Sequence, residues 1–255
     1  TMNPQIFTYG EPQKLSPNEF TMENRDFLGW AKTSGGNIAY NDNSEYTIGA
    51  ADVTLYAVWG KFESITADDF AAVIASLEQG TSSENTNIYT IKITSGEITN
   101  KKLYDIGTAI NKNRNYMKYI LDLTAGAGTN ELTEISDYTF QSCNLYGITL
   151  SNSINLIGKS AFNNNIFEII VIPNSVETIK TSAFEDCINL AEITLPKSLT
   201  SIGASAFKNC SSLETVYYKG TQAQWEILKA SISPTGNEKL TGAKIICTDG
   251  VINGE

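Results

Sequence analysis

The sequence predicts an α+β repeat protein. Short coils stack into a solenoid with a parallel β-sheet and a helical cap, behind a small β module. Three observations predict it. Phenylalanines recur in near-identical contexts, Ser160-Ala161-Phe162, Ser182-Ala183-Phe184 and Ser205-Ala206-Phe207, with a weaker copy at Tyr138-Thr139-Phe140. The intervals between the phenylalanines are 22, 22 and 23 residues. Each period also holds one short apolar alternation of the kind that builds a strand.

Other positions keep the same step. Ile148, Ile170, Ile193 and Val216 recur, as do Leu150, Ile172, Leu195 and Tyr218. So do Ile135, Ile157, Ile179 and Ile202, and the set Cys143, Asn165, Cys187 and Cys210. A period in the low twenties is the mark of a leucine-rich solenoid. One such unit cannot bury its own apolar ring, so the array is stable only as an array. Neighbouring strands then pair in parallel, about 4.8 Å apart. Phe162, Phe184 and Phe207 are expected inside the coils. Ile148, Ile170 and Ile193 are expected side by side in one sheet.

The unit reads L-x-x-I-x-L-P-x-S-[LV]-x-x-I-G-x-x-A-F-x-x-C-x-x. It resembles the BspA-like subfamily of leucine-rich repeats, found in bacterial surface proteins. Ala-Phe-x-x-Cys, Ile157-Gly158, Ile202-Gly203 and the prolines Pro173 and Pro196 after the strand carry the resemblance. Asn165 departs from it at the cysteine position and Lys180 at the glycine.

Residues 1–60 differ in composition. Ile6-Phe7-Thr8-Tyr9 alternates like a strand, Phe27-Leu28-Gly29-Trp30 is a second, and Ser34-Gly35-Gly36-Asn37 reads as a turn. Val53 to Trp59 has high strand propensity. Periodicity leaves open whether Val53, Leu55, Ala57 and Trp59 or the alternate set faces inward. Phe27-x-Gly29-Trp30, Tyr40 and Leu55-Tyr56-Ala57-x-Trp59 resemble the internalin-type B-repeat, or Listeria–Bacteroides repeat. That resemblance implies a small β-grasp-like module whose usual first strand is missing before Ile6. It also implies a spacer or binding role on a surface protein.

Residues 61–255 are assigned to the solenoid. Within it, 61–131 form a helical cap and degenerate repeats, 132–219 the regular repeats, and 220–255 a C-terminal cap. A cap helix is expected over 66–79. Thr66 and Asp69 make a box-like pair at its start, and Phe70, Val73, Ile74 and Leu77 form one stripe. Gly80 ends it. Tyr89–Ile93 and Tyr119–Leu123 read as strands, with a helix between them that turns Leu103, Ile106, Ala109 and Ile110 inward. The insertion Ala125–Asn130 is expected to bulge as a loop. Trp225 and Leu228 have helical spacing, Ala243–Cys247 reads as a last strand, and Asp249-Gly250 as a turn.

Composition narrows the function. The chain has 255 residues, a net charge of −10 and no basic cluster, which argues against nucleic acid or anionic membrane as partner. No apolar run approaches the ~18 residues a membrane span needs. There is no histidine, so the commonest general base and zinc ligand are missing. Gly126-Ala127-Gly128 lacks the third glycine and the Lys-Ser/Thr of a phosphate loop. Asp68-Asp69 suits a helix N-terminus better than acid–base work. Asn41-Asp42-Asn43-Ser44-Glu45 lacks calcium-loop spacing. Cys143, Cys187 and Cys210 recur at the repeat period rather than at metal-ligand spacing, and read as buried thiols, with a Cys187–Cys210 bridge as the alternative. No catalytic residue, cofactor or metal site is read from the sequence, and the chain is not expected to be an enzyme.

Binding is expected on the outward residues of the strands, on the concave side. One row is Ile120, Gly147, Ile169, Glu192 and Thr215; the next is Asp122, Thr149, Val171, Thr194 and Tyr217. Ile169 and Val171 are apolar where water is expected, and Tyr217 lies two strands away. A patch of Ile169, Val171, Tyr217, Thr149, Glu192, Thr194 and Thr215 is the candidate site, against the alternative that parallel strands are apolar on both faces. The family resemblance implies a secreted or cell-surface protein that adheres to protein or cell-surface ligands, host-derived ones included. The alternatives are a structural spacer or stalk and, last, a glycan-acting surface enzyme.

Overall fold

The computed structural model describes residues 5–8, 12–21, 26–32, 38–40, 42, 45–47, 53–76, 87–95, 98–112, 117–124 and 132–254. The first elements are β1 (Pro12–Lys14), β2 (Asp26–Ala31), β3 (Ile38–Tyr40), β4 (Glu45–Thr47), β5 (Tyr56–Thr66) and α1 (Phe70–Ser76). Then come β6 (Asn87–Ser95), α2 (Asn100–Lys112), β7 (Met117–Asp122), β8 (Glu134–Ile135), β9 (Leu145–Thr149), β10 (Leu156–Ile157) and β11 (Ile169–Val171). The rest are β12 (Thr178–Ile179), β13 (Glu192–Leu195), β14 (Ser201–Ile202), β15 (Thr215–Tyr218), α3 (Gln222–Ser231), α4 (Glu238–Thr241), β16 (Lys244–Cys247) and β17 (Gly250–Ile252).

Each regular coil carries two strands and a turn that holds the phenylalanine. Phe140, Phe162, Phe184 and Phe207 are fully buried. Their rings stack face to face at 5.7, 5.3 and 5.2 Å, tilted by 15°, 11° or angles between. That spacing is close to the ~4.8 Å between paired strands, so one ring per coil fills the interior without a gap. The turn depends on two left-handed residues per coil. Ser160, Ser182 and Ser205 have φ of 51°, 55° and 56°, and Asn164, Asp186 and Asn209 have 56°, 62° and 61°. Short polar side chains tolerate that region best, which is why serine precedes Ala-Phe in every regular copy.

Backbone bonds knit the coils together outside the main strands as well. Phe140, Phe162 and Phe184 each donate an N–H to the alanine carbonyl of the next coil, all at 2.8 Å. The short strands form a second parallel sheet, in the order β14-β12-β10-β8, through Ile135, Ile157, Ile179 and Ile202. Gly158 makes this approach closest: a Cβ there would lie 2.6 Å from the Asp137 nitrogen of the preceding coil, whereas Lys180 makes the same backbone contact one coil on with its N–H 2.9 Å from Ile157 O.

The cysteine column ties the same layers. The Cys187 thiol donates to Phe162 O and the Cys210 thiol to Phe184 O, each at 3.2 Å. Asn165 occupies the column in its coil and does more. Its amide donates to Phe140 O at 2.7 Å and Phe162 O at 2.9 Å, and its oxygen accepts the Leu145 N–H at 2.9 Å. All four cysteines are buried thiols, and none is in a disulfide. Burial pushes the Cys187 thiol well above its ordinary value, and the Cys210 thiol up to about 12.

The long strands make two sheets, not one. The first runs β3-β2-β5-β6-β7-β9 and the second β11-β13-β15-β16-β17. Ile170, Ile193, Val216 and Ile245 lie side by side as expected, but Ile148 pairs with Leu121 in the other sheet. The strand before the break is irregular. Tyr119 pairs with Leu145 and Ile120 with Gly147, so Tyr146 is the extra residue of a bulge. Its large ring stands where later coils carry Glu168, Ala191 and Glu214. The next coil links back through Ile166 N to Leu145 O at 3.1 Å, ahead of its own strand.

Both ends of the array are closed by atypical structure. At the N-terminal end β5 serves two partners. Its first half pairs antiparallel with β2 and its second half parallel with β6, so one strand runs across residues 60 and 61. Gly60 sits at the changeover, where a Cβ would meet Leu28 at 2.4 Å and Ile88 O at 2.7 Å. On the interior side Phe70 and Ile74 of α1 and Leu103, Ile106 and Ile110 of α2 join the core. At the C-terminal end Thr221 and Gln224 form a capping box that starts α3, and Trp225 and Leu228 point inward. The last coil has no successor. Its Ser205 N–H goes to Thr235 O at 2.7 Å and its Phe207 N–H to the buried Asn237 side chain at 3.1 Å.

Other expectations are corrected. Residues 5–8 form no strand, and Ile6 is 91% exposed. Glutamine side chains compete for this backbone: Thr8 N–H donates to Gln13, while Gln5 bonds Lys14 O and the Ser16 N–H. The cap helix begins at Phe70 rather than 66, because β5 continues through Thr66. The Thr66–Asp69 pair forms nevertheless, with Asp69 N–H on the Thr66 hydroxyl at 3.1 Å. In β5 the alternate residue turns in at the centre: Val58 is buried, while Val53 is exposed and precedes the strand. The turn at 34–37, Leu77, Gly80 and the insertion at 125–130 lie outside the described residues.

Phe184→Ala is expected to lower stability by about 3–5 kcal/mol, read by chemical denaturation, because the cavity opens between two rings that cannot close on it. Denatured, unreduced chain is expected to take four alkyl labels. In the native state Cys187 and Cys210 should resist labelling near pH 8. Their raised values also set a pH limit: the stability they contribute is complete below the ordinary thiol value of 9.0 and falls as pH climbs from there toward about 12. A thermal midpoint that stays flat over that window would contradict the burial.

Candidate interaction face

The register brings most of the candidate residues together. Ile169, Glu192 and Thr215 lie abreast on β11, β13 and β15, and Val171, Thr194 and Tyr217 form the next row. β16 extends the rows with Lys244 and Ile246. Thr149 is exposed, but it belongs to β9 in the other sheet and pairs with Asp122. No ladder joins β9 to β11, although the two strands lie close together.

The two rows differ in what covers them. Ile169, Glu192 and Thr215 are half-buried. Glu192 is ion-paired with Lys32, which arrives from the N-terminal module 160 positions away in sequence. The Lys32 ammonium also lies 5.8 Å from the Tyr40 ring centre. Tyr40 meets Tyr46 edge to face at 5.0 Å. Burial raises the Tyr40 hydroxyl strongly, helped by the Glu192 carboxylate, and the same two causes raise Tyr217. The module therefore lies against the first row. The second row is less covered at its ends: Val171 is 51% and Tyr217 36% exposed, while Thr194 is half-buried and Tyr217 has Lys32, Tyr40 and Tyr46 of the module near it.

A second, smaller core explains how the module is held. Ala31, Val58 and Tyr146 are buried together, with Leu28, Ile38, Ile88, Ile120 and Ile166 packed around them. Leu28, Ala31, Ile38 and Val58 come from the N-terminal strands. Ile88, Ile120, Tyr146 and Ile166 come from the outward side of the first coils. The Lys118 ammonium sits 4.7 Å from the Tyr146 ring centre, and Tyr146 is raised by burial with Glu168 beside it. Sequence reasoning missed this cluster. Its one visible signal is that Ile120, Tyr146 and Ile166 are apolar where a solvated strand face would carry polar residues.

The described residues offer little for chemistry. No group of three or more His, Cys, Asp or Glu side chains gathers among them. Asp42 accepts the Asn18 N–H at 2.9 Å and serves a turn. Among the described residues no helix is long and apolar enough to cross a membrane.

Stacked coils with two parallel ladders and a phenylalanine per turn define a leucine-rich-type repeat protein. Residues 108–226 match the BspA type leucine rich repeat region, in six copies, and residues 1–58 match the Listeria-Bacteroides repeat domain. The chain resembles a leucine rich cell surface protein from Faecalibacterium prausnitzii at 23% identity and a TM-score of 0.42, over 58% of this chain and 39% of that one. It also resembles a leucine-rich repeat protein from Bacteroides ovatus at 21% identity and a TM-score of 0.39, over 74% of this chain and 42% of that one. The chain thus spans about two fifths of the length of these structures. No protein with a curated description matches it.

Replacing Ile169 with Ser and Val171 with Thr separates the rows. Val171→Thr is expected to change stability by under about 0.5 kcal/mol, as a surface substitution does. Ile169→Ser should cost more, about 1–2 kcal/mol, because its side chain is half covered. Equal losses in denaturation would mean that the two rows are covered alike.

Proposed function

We propose that this chain is part of a secreted or cell-surface bacterial protein that adheres to protein or cell-surface ligands through the open row of its strand face. The observation that carries this reading is the row Val171, Thr194 and Tyr217. An aliphatic, a hydroxyl and an aromatic side chain stand abreast on one sheet, with Val171 and Tyr217 exposed and Thr194 half-buried between them. Tyrosine provides large contact area at low entropy cost, and a fixed sheet needs no ordering on binding. A host-derived protein is the favoured ligand class, and the net charge of −10 disfavours nucleic acid and anionic membrane.

A spacer role has one observation in its favour. β5 passes unbroken from the N-terminal module into the solenoid, and a shared strand transmits orientation as a loop would not. The two readings are compatible only if the open row has a ligand.

The test is surface plasmon resonance against immobilised host matrix and epithelial surface proteins. Val171→Thr with Tyr217→Ser is expected to weaken any specific binding about tenfold, the effect of ~1.4 kcal/mol. Ile227→Ser, on the 75% exposed face of α3, should leave it unchanged. Binding that both variants keep would place the site elsewhere. No binding to any protein favours the spacer.

A further inference from the structure

A second feature lies on the other side of the first coils. α2 approaches the turn at 138–141 so closely that a Cβ on Gly107 would lie 1.8 Å from Thr139 O. Glycine inside a helix is unfavourable, and here the contact requires it. The Cys143 thiol bonds Gly107 O at 3.3 Å, and the Asn111 amide reaches across to Gln141 O at 3.0 Å. Helix and turn are thereby fastened together, with a groove of about 280 Å³ between them.

The groove is polar and aromatic. Tyr104, Thr108, Asn111 and Lys112 line it from α2, and Tyr138 and Gln141 from the turn. Tyr104 is 52% and Tyr138 42% exposed. None of its described lining residues is a carboxylate, although the chain carries 28 acidic residues against 18 basic ones. Tyr138 is also out of pattern. It holds the left-handed position, φ 62°, that Ser160, Ser182 and Ser205 occupy in later coils. A bulky side chain is disfavoured there, and such outliers persist where another demand outweighs the strain. Tyr138 lies outside the core. The Lys159 ammonium, 5.5 Å from its ring centre, steadies it.

We infer that this groove binds neutral glycans. The carbon–hydrogen face of a pyranose ring packs on the electron-rich face of a tyrosine. Its hydroxyls suit the amides and hydroxyls of Thr108, Asn111 and Gln141, which both donate and accept. The volume is just under the usual small-molecule range of about 300–1,000 Å³, which fits a ring or two rather than a larger ligand. The preformed walls limit the ordering cost of binding. This site is separate from the strand face and does not rest on it.

The experiment is a nuclear magnetic resonance titration of the whole chain with maltotriose, N,N′-diacetylchitobiose and xylotriose, each to about 10 mM, where millimolar affinity saturates. The groove reads the ring rather than one hydroxyl pattern, so at least one sugar should shift the amides of Thr108, Asn111, Thr139 and Gln141 saturably. Tyr104→Ser and Tyr138→Ser should each weaken that binding about tenfold. The second installs the residue of the other copies, so its melting temperature should not fall. No saturable shift with any of the three sugars overturns the proposal. So do shifts elsewhere, binding unchanged in both variants, or a protein ligand lost in the variants when no sugar binds.

Discussion

A coil of this size cannot bury its own apolar ring, and that constraint organises the chain. Phe162 and Phe184 are each covered above and below by copies, and Phe140 and Phe207 on one side, at 5.2–5.7 Å. Backbone bonds on both sides of the ring hold the copies at that distance. The left-handed serines turn the backbone so that the copies come that close. Removing a single ring would damage two neighbours, because close-packed interiors relax little around a void.

Such an array has two exposed faces of core, one at each end, and the chain closes them differently. The C-terminal end is closed by substitution. Thr235 and the Asn237 side chain accept the N–H groups that a further coil would have accepted. The N-terminal end is closed by sharing. β5 is the last strand of one module and the first of the other, and Gly60 lets β2 and β6 crowd the same point. The cover then extends over the outward side of the first coils, where Ala31 and Val58 bury Tyr146. The Lys32–Glu192 pair lies at the edge of that cover. A surface pair of this kind contributes at most about 1 kcal/mol, so the apolar contacts hold the module and the ion pair sets its reach. What is left of the strand face is the outer row.

What could be read from the sequence follows from this. The period, the buried phenylalanines, the column of Cys143, Asn165, Cys187 and Cys210, and the helix at Trp225 were legible because each repeats or is set by near neighbours. The αL serines were visible as letters but not as a conformation. The contacts of Lys32 with Glu192 and of Ala31 with Tyr146 were not legible. They join segments more than 100 positions apart that share no pattern. The candidate rows hold within each sheet but not across the gap between β9 and β11, and the module's cover over Glu192 was not legible, since it comes from a segment 160 positions away. The bulge at Tyr146 escaped notice for the opposite reason: it shifts the register by one residue, and a repeat alignment with variable spacing absorbs that step.

The copies serve as controls for one another, and this gives the departures their meaning. Asn165 replaces a thiol yet keeps its bond to the preceding coil, so that departure preserves structure and adds a link to Leu145. Tyr146 replaces the Glu168, Ala191 and Glu214 of later coils and is buried by another module, so that departure builds a joint. Tyr138 replaces serine at a position where a large side chain is disfavoured, and it is neither buried nor part of the joint. Packing explains the first two and leaves the third. In a chain built from copies, a residue that breaks the pattern against its own conformational preference and stays partly in water is the place to look for a ligand, which is the ground for the groove proposed beside α2.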